Sequence, residues 1–274
     1  MKIDFEKGSY FCFACECHGD AFTFVKDMNE NKNDLQAMHL LIRILKSNKT
    51  RKMKININHK IKKESKQSLL EAKDYYYGLS NVDWKNSNDE DVVRAKEYMK
   101  KRGFNWLTLS KCKAKITYNK SYEIIFPLLD NKEFKGWVCR TMQPAIEKKR
   151  KYLYNEGFSR LNTLCGSYGN CEVLYIVEGY MDMLKLKQFG VKDVVAILGW
   201  KISYEQIEKI KKQGNIKYII SALDNDKCGI KGTEYLRNHF KVIRFRYLKG
   251  IKDPGEMTKE QFVKMNNKTL TNIK

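Results

Sequence analysis

Five carboxylates in the second half of the chain carry the strongest chemical signal: Glu178, Asp182, Asp224, Asp226 and Asp253. Glu178 and Asp224 each follow an apolar run, Leu174-Tyr175-Ile176-Val177 and Ile219-Ile220-Ser221-Ala222-Leu223, whose composition predicts a buried strand. Asp182 follows Glu178 by four residues. Asp226 follows Asp224 by two, which points both side chains the same way if extended backbone continues through them. Asp253, in Lys252-Asp253-Pro254, trails a further apolar run by a short loop. Acids gathered in one place repel each other and cannot all stay ionised without a compensating cation. Mg²⁺ suits them, being hard, oxygen-seeking and commonly held by a few carboxylates together with substrate phosphates. Any one of these acids alone reads as a helix cap or a partner for a nearby lysine; five at strand ends in this order point to a metal site.

Such acids need a scaffold that brings strand ends together. From residue 172 onward, strands are predicted at 173–177, 194–198, 217–223 and 242–245, alternating with helices near 181–189, 204–213 and 230–240. That alternation defines an α/β unit with a mostly parallel sheet flanked by helices, which places ligands at the carboxyl ends of its strands. Gly179 is expected to permit a sharp strand-to-helix turn. Upstream, a helix is predicted over 88–102, with Ser87 and Glu90 at capping-box spacing, Val92, Ala95 and Met99 on one face, and Gly103 at its end. Strands at 122–129 and 134–139 flank the turn Asp130-Asn131-Lys132. Nearer the N-terminus, an apolar helix-like run covers 35–45, and residues 46–66 hold nine Lys or Arg against one acid, Glu64. The expected organisation is an N-terminal module over 1–45, a basic linker over 46–85, an α+β subdomain over 86–170 and the α/β subdomain over 171–274.

A net charge of +21 argues for a polyanionic partner, with nucleic acid the first candidate. A membrane surface also attracts a basic chain, but no run approaches the ~20 apolar residues of a spanning helix and no apolar leader follows Met1. The expectation is a soluble, cytoplasmic protein without a membrane partner. Of eight cysteines, only Cys12, Cys15 and Cys17 cluster enough to suggest a metal; Cys112, Cys139, Cys165, Cys171 and Cys228 read as small buried or half-buried residues.

Val177-Glu178-Gly179-Tyr180-Met181-Asp182 resembles the first Toprim motif of bacterial-type DNA primases, and Leu223-Asp224-Asn225-Asp226-Lys227-Cys228-Gly229 resembles their Asp-x-Asp motif with its following basic residue. Ala196-Ile197-Leu198-Gly199 resembles the intervening strand and Lys252-Asp253-Pro254 the last acidic motif. Upstream, the 96–103 segment, Ile125-Phe126-Pro127-Leu128, Gly136-Trp137-Val138-Cys139-Arg140, Lys151-Tyr152-Leu153-Tyr154-Asn155 and the 158–166 segment resemble the remaining primase motifs. The resemblance implies a Toprim-type sheet behind an α+β primase subdomain. It also implies Mg²⁺ or Mn²⁺ held by Glu178, Asp224, Asp226 and Asp253, with Asp182 in the catalytic set. Arg140, Lys151, Arg160 and Lys227 are then contacts for NTP phosphates or a single-stranded DNA template, and the activity is template-directed RNA primer synthesis. Glu178 is either a metal ligand or the general base on the 3′-hydroxyl.

Phe11-Cys12-Phe13-Ala14-Cys15 with His18-Gly19-Asp20 resembles the second half of the primase zinc ribbon. A structural zinc takes four ligands. Cys17 and His18 are the candidates to complete it, and the alternative is a ribbon remnant that packs through its aromatics. Two further departures stand out. Gly255 occupies the position of a second acid, with Glu256 adjacent, and Trp200 replaces a small polar residue, as either a base-stacking platform or a packing aromatic. The short stretch after Asp253 suggests a stripped-down primase of a phage, plasmid or integrative element, working with that element's replication proteins. Two other functions fit the same residues: a Toprim metal-dependent nuclease, and a catalytically weak single-stranded nucleic-acid-binding protein.

Overall fold

The computed structural model describes residues 2–4, 9–11, 18–21, 23, 57–117, 123–142, 151–169 and 171–271. They fall into two compact units, Met1–Ile57 and Asn58–Lys274. In the first, β1 (Lys2–Asp4), β2 (Ser9–Phe11) and β3 (His18–Asp20) form an antiparallel sheet, with Ile3 opposite Tyr10 and Phe11 opposite His18. Cys12, Cys15 and Cys17, the side chain of His18 and the expected helix at 35–45 lie outside the described residues.

The second unit is built on a single mixed sheet. Its order is β12-β11-β9-β10-β8-β5-β6-β7, with β4 (Lys115–Ile116) beside β5. β5 (Ile124–Asp130), β6 (Glu133–Arg140) and β7 (Tyr152–Tyr154) are antiparallel neighbours, while β9 (Val173–Val177), β10 (Val194–Ala196), β11 (Tyr218–Ser221) and β12 (Val242–Arg244) run parallel. β8 (Cys165–Ser167) joins the halves by pairing antiparallel with β10 and touching β5, so residues 86–170 and 171–274 share one sheet.

The parallel strands read as continuous apolar runs because both faces are covered. Tyr175, Val177, Val194, Ala196 and Ile220 face one core with α4 (Tyr180–Gln188) and α7 (Lys259–Leu270). Leu174, Ile176, Val195, Ile197 and Ile219 face the other, with α5 (Tyr204–Lys211) and α6 (Lys227–Arg237). The chain therefore leaves β9 for one face and β11 for the other. These strands are adjacent and paired, and the chain leaves them in opposite directions at their carboxyl ends, the arrangement at which open α/β sheets form their ligand crevice.

Two expectations need correcting. The stretch 46–85, expected as a linker, contains the helix α1 (Ile57–Gly78), whose Ala72 and Tyr76 are buried; Tyr76 and Leu79 pack on Ile125 and Cys139. Its dense lysines hid the apolar spacing, and a buried lysine from elsewhere secures its end: Lys115 Nζ donates to the carbonyls of Leu79 (2.6 Å) and Tyr76 (3.1 Å). The helix α2 (Glu90–Lys101) is capped by Asp89, not Ser87; the Asp89 carboxylate accepts from the N–H groups of Asp91 and Val92, and Ser87 only supports Asp89 from behind. α3 (Trp106–Lys111) follows at once. Among the described residues no helix is long and apolar enough to cross a membrane.

Candidate active site

Glu178 is the first residue past β9, and Asp182 sits in the first turn of α4. Gly179 between them has φ −104°, ordinary extended backbone, so conformational freedom does not explain the glycine. Space does: a Cβ there would stand 2.6 Å from Asp182 Oδ2, which accepts a hydrogen bond from the Gly179 N–H at 3.1 Å.

On the neighbouring strand β11 ends at Ser221 and the chain bends at Asn225 and Asp226, so the strand does not continue through Asp224 and Asp226, and the two acids have different surroundings. Asp226 caps α6, its Oδ1 accepting from the Gly229 N–H at 2.8 Å. Asp224 is half-buried, and its backbone N–H donates to Glu178 Oε1 at 3.2 Å, which ties the two strand ends together. Asp224 Oδ1 is buried without a hydrogen-bond partner. An orphaned carboxylate oxygen is costly unless something positive meets it.

Asn225 delivers the fifth acid. Its N–H donates to the Lys252 carbonyl (2.6 Å) and its Nδ2 to the Ile251 carbonyl (3.2 Å), while Arg244 Nη2 donates to its Oδ1 (3.1 Å). The clamped loop carries Asp253 to the same edge as Asp182, and a Cβ on Gly255 would lie 3.0 Å from an oxygen of each. The Gly255 N–H donates to Asp182 Oδ1 at 3.0 Å. Glu256 turns back to accept from the Lys252 N–H at 3.0 Å.

Burial first, and then the neighbouring acids, push these groups up: Glu178 to about 8, with Asp224 the main neighbour; Asp182 to about 7, with Asp253; and Asp224 to about 6, with Asp253. Burial and Glu256 also raise Asp253. Among the described residues no three His, Cys, Asp or Glu side chains close into a ready-made ion cage. The donors instead form an open, proton-hungry edge with one orphaned oxygen. They fit Mg²⁺, which keeps several waters and takes one or two carboxylates.

The expected cations are distributed unevenly. Arg140, on β6, is only 4% exposed; its Nε donates to Tyr98 Oη at 3.0 Å and its guanidinium lies 4.7 Å from the Tyr152 ring. It is thus an enclosed packing residue where a free phosphate contact was expected. Lys151, Arg160 and Lys227 are exposed, the last as the first residue of α6. Arg160 lies 5.9 Å from the Tyr154 ring. Four residues near the acids carried no assigned role, although Arg102 and Tyr152 lie within the quoted motifs. Arg102, at the end of α2, acts electrostatically on Asp253, Lys185 and Tyr152. Lys185, 2% exposed, donates to the Arg102 carbonyl at 2.7 Å and is lowered to about 8 by burial and by Arg102. Tyr152 is raised to about 12 by burial, opposed by Arg140. Tyr247 is likewise pushed well above the usual phenol range by burial and then by Asp182, Asp224 and Asp253. Arg102, just before the helix-ending Gly103, and Tyr152, inside the 151–155 motif, had a local signal; Lys185 and Tyr247 had none.

Residues 175–258, which carry the acids at the switch point of this strand order, match the family model described as Toprim-like. The chain is 25% identical to the DNA primase of Campylobacter jejuni over 97% of its own length and 50% of that protein, and 27% identical to that of Clostridium acetobutylicum over 98% and 50%. In fold it is similar to the Aquifex aeolicus primase zinc-binding and RNA polymerase domains (TM-score 0.56, 21% identity, 97% of this chain and 74% of that one) and to a DnaG primase catalytic domain bound to ssDNA (0.55, 18%, 75% and 80%). The chain is thus similar in sequence and fold to bacterial-type DNA primases, and it spans about half the length of the curated relatives it matches.

Proposed function

We propose that the chain is a DNA primase that joins NTPs into short RNA primers on a single-stranded DNA template. The observation that carries the reading is the crevice between β9 and β11, where Glu178 and Asp224 are linked by a hydrogen bond, Asp182 and Asp253 stand together, and Asp224 Oδ1 has no partner. Glu178, Asp224, Asp226 and Asp253 are the residues that would hold Mg²⁺ or Mn²⁺. When bound, the ion supplies charge stabilisation for the transferring phosphoryl group. Asp182, gripped by the N–H groups of Gly179 and Gly255, fixes the spacing of the two loops. Glu178 Oε1 is engaged by the Asp224 N–H, so Oε2 is the atom placed to ligate or to take the 3′-hydroxyl proton. Exposed Lys151, Arg160 and Lys227 supply cations for triphosphate and template, in line with the net charge of +21. Zinc on Cys12 and Cys15, completed by Cys17 and His18, is checked by the metal content of the purified chain.

The test is synthesis of labelled oligoribonucleotides from NTPs on single-stranded DNA with Mg²⁺ or Mn²⁺. The double replacement Asp224→Asn, Asp226→Asn is expected to abolish it. Absence of product from the unaltered chain, with metal-dependent strand cleavage when NTPs are omitted, sinks the primase reading in favour of a nuclease.

A further inference from the structure

The loop after β10 carries residues that the acids do not use. Leu198 buries its side chain, yet its backbone sits at φ 58°, a left-handed conformation that a non-glycine residue seldom adopts. Beyond that turn Gly199, Trp200 and Lys201 are exposed, and Trp200 remains 38% exposed. The loop is also held in place: the Trp200 carbonyl rests on Gly232 of α6, where a Cβ would collide with it. Next to it, Ser203 Oγ donates to the Leu161 carbonyl at 2.6 Å, and Gln206 Nε2 donates to the carbonyls of Arg160 and Thr163. This pins a second exposed segment beside the first, with Tyr204 62% and Leu161 65% exposed. Cations surround the aromatics. Lys201 Nζ stands 4.5 Å from the Tyr235 ring and Arg160 and Lys231 are exposed; on the same helices Glu205, Glu208 and Glu234 oppose them, Glu208 being already paired with Lys211 at 3.5 Å. Topology puts the loop on the acid edge, since β10 is the parallel neighbour of β9 and α6, on which the loop rests, begins directly after Asp226.

We propose that Trp200 and Tyr204, with Arg160, Lys201 and Lys231, form a stacking shelf for unpaired bases of single-stranded DNA beside the carboxylate crevice. The proposal rests on the nucleic-acid reading above and deepens it by locating where the strand runs. Every base offers a π-face to an exposed indole or phenol, and lysines and arginine between aromatics match the phosphates linking successive bases. A protein partner of apolar chemistry has no use for this ring of cations. A duplex hides its base faces and cannot use the shelf.

The test is fluorescence anisotropy of a labelled oligo(dT) with the full chain, without metal or NTPs. Trp200→Ala is expected to weaken binding roughly 5- to 100-fold, and Trp200→Phe to retain most of the affinity. Tyr204→Ser, on an exposed helical position, provides a second variant, expected to weaken binding in the same range. The slope of log affinity against log salt stays unchanged in Trp200→Ala and falls by about 0.7 in Lys201→Ala. An abasic oligonucleotide and a duplex of equal length bind the unaltered chain and Trp200→Ala alike. Equal oligo(dT) affinity in wild type and both aromatic variants overturns the shelf, as does an equal loss on the abasic strand. Trp200-dependent binding without primer synthesis leaves the shelf standing and removes the primase reading; primer synthesis with Trp200-independent binding does the reverse.

Discussion

Asp182 allows the electrostatics of the crevice to be tested through thermal stability, because two backbone N–H groups hold its carboxylate while burial and Asp253 raise it to about 7. A carboxyl whose pKa is higher folded than unfolded binds protons more tightly when folded, so ionisation works against the fold. The penalty is absent below about pH 4, grows through the interval between the unfolded value of about 3.9 and the folded value near 7, and is constant above it. About three pKa units correspond to roughly 4 kcal/mol, of which about 60% accrues between pH 5 and pH 8. Solvent over a half-buried carboxyl screens about half of that, which leaves on the order of 1–2 kcal/mol. Asp182→Asn removes the charge but offers one oxygen where the carboxylate offers two, so the N–H of Gly179 or Gly255 loses its acceptor at about 1 kcal/mol at every pH. At 2–4 °C per kcal/mol, the Tm of Asp182→Asn relative to wild type should rise by roughly 3–6 °C between pH 5 and pH 8 in EDTA. Scanning calorimetry measures it. Mg²⁺ at pH 8 should then stabilise the wild type and leave the variant nearly unmoved. Two Tm curves that stay parallel from pH 5 to pH 8 would refute the picture of carboxylates held against their own repulsion.

Lys115→Met strips the carbonyls of Tyr76 and Leu79 of their donor and should cost on the order of 2–3 kcal/mol, a Tm loss of roughly 5–10 °C; an unchanged melt would mean that α1 is held by its aromatics alone. Asn225→Ala frees the Asp253 loop, so Mg²⁺ affinity, read from the metal-dependent rise in Tm, should fall roughly 10-fold or more while ssDNA binding in EDTA stays the same. In Gly229→Ala a new Cβ meets the backbone carbonyl of Asp224, so the start of α6 must shift and carry that acid with it; primer synthesis should drop on the order of 100-fold in a chain that still folds by circular dichroism.

What could be read in advance depended on how far apart the interacting residues lie. Val173–Val177 is recognisable because five consecutive residues all face apolar surroundings, and its predicted and observed bounds coincide. Glu178 and Asp224 could be placed on one edge by strand order alone, and the hydrogen bond between them joins strand ends that are neighbours in the sheet. α7 went unrecognised although Thr258 and Gln261 form a capping box and Phe262 and Met265 fall on its buried face, because its few apolar residues are scattered among Lys, Gln and Asn.

The remaining failures share a physical cause. Lys115, Arg140 and Lys185 are cations, and by composition each belongs on the surface. Each is buried because a distant segment offers carbonyls or aromatic faces: residues 76 and 79 to Lys115, Tyr98 and Tyr152 to Arg140, Arg102 to Lys185. A lysine that will cap a helix 36 residues away has the same local sequence as one that will be solvated. The same logic separates the acids. Asp226 is exposed as a helix cap and Asp224 is half-buried with a bare oxygen, although they lie two positions apart, because β11 ends at Ser221 and the chain bends at Asn225 and Asp226 before α6 begins. Spacing in sequence could identify the pair as a unit. Which member bears the unmet charge follows only from where the strand stops, and that makes Asp224 the acid whose loss should cost the most metal affinity.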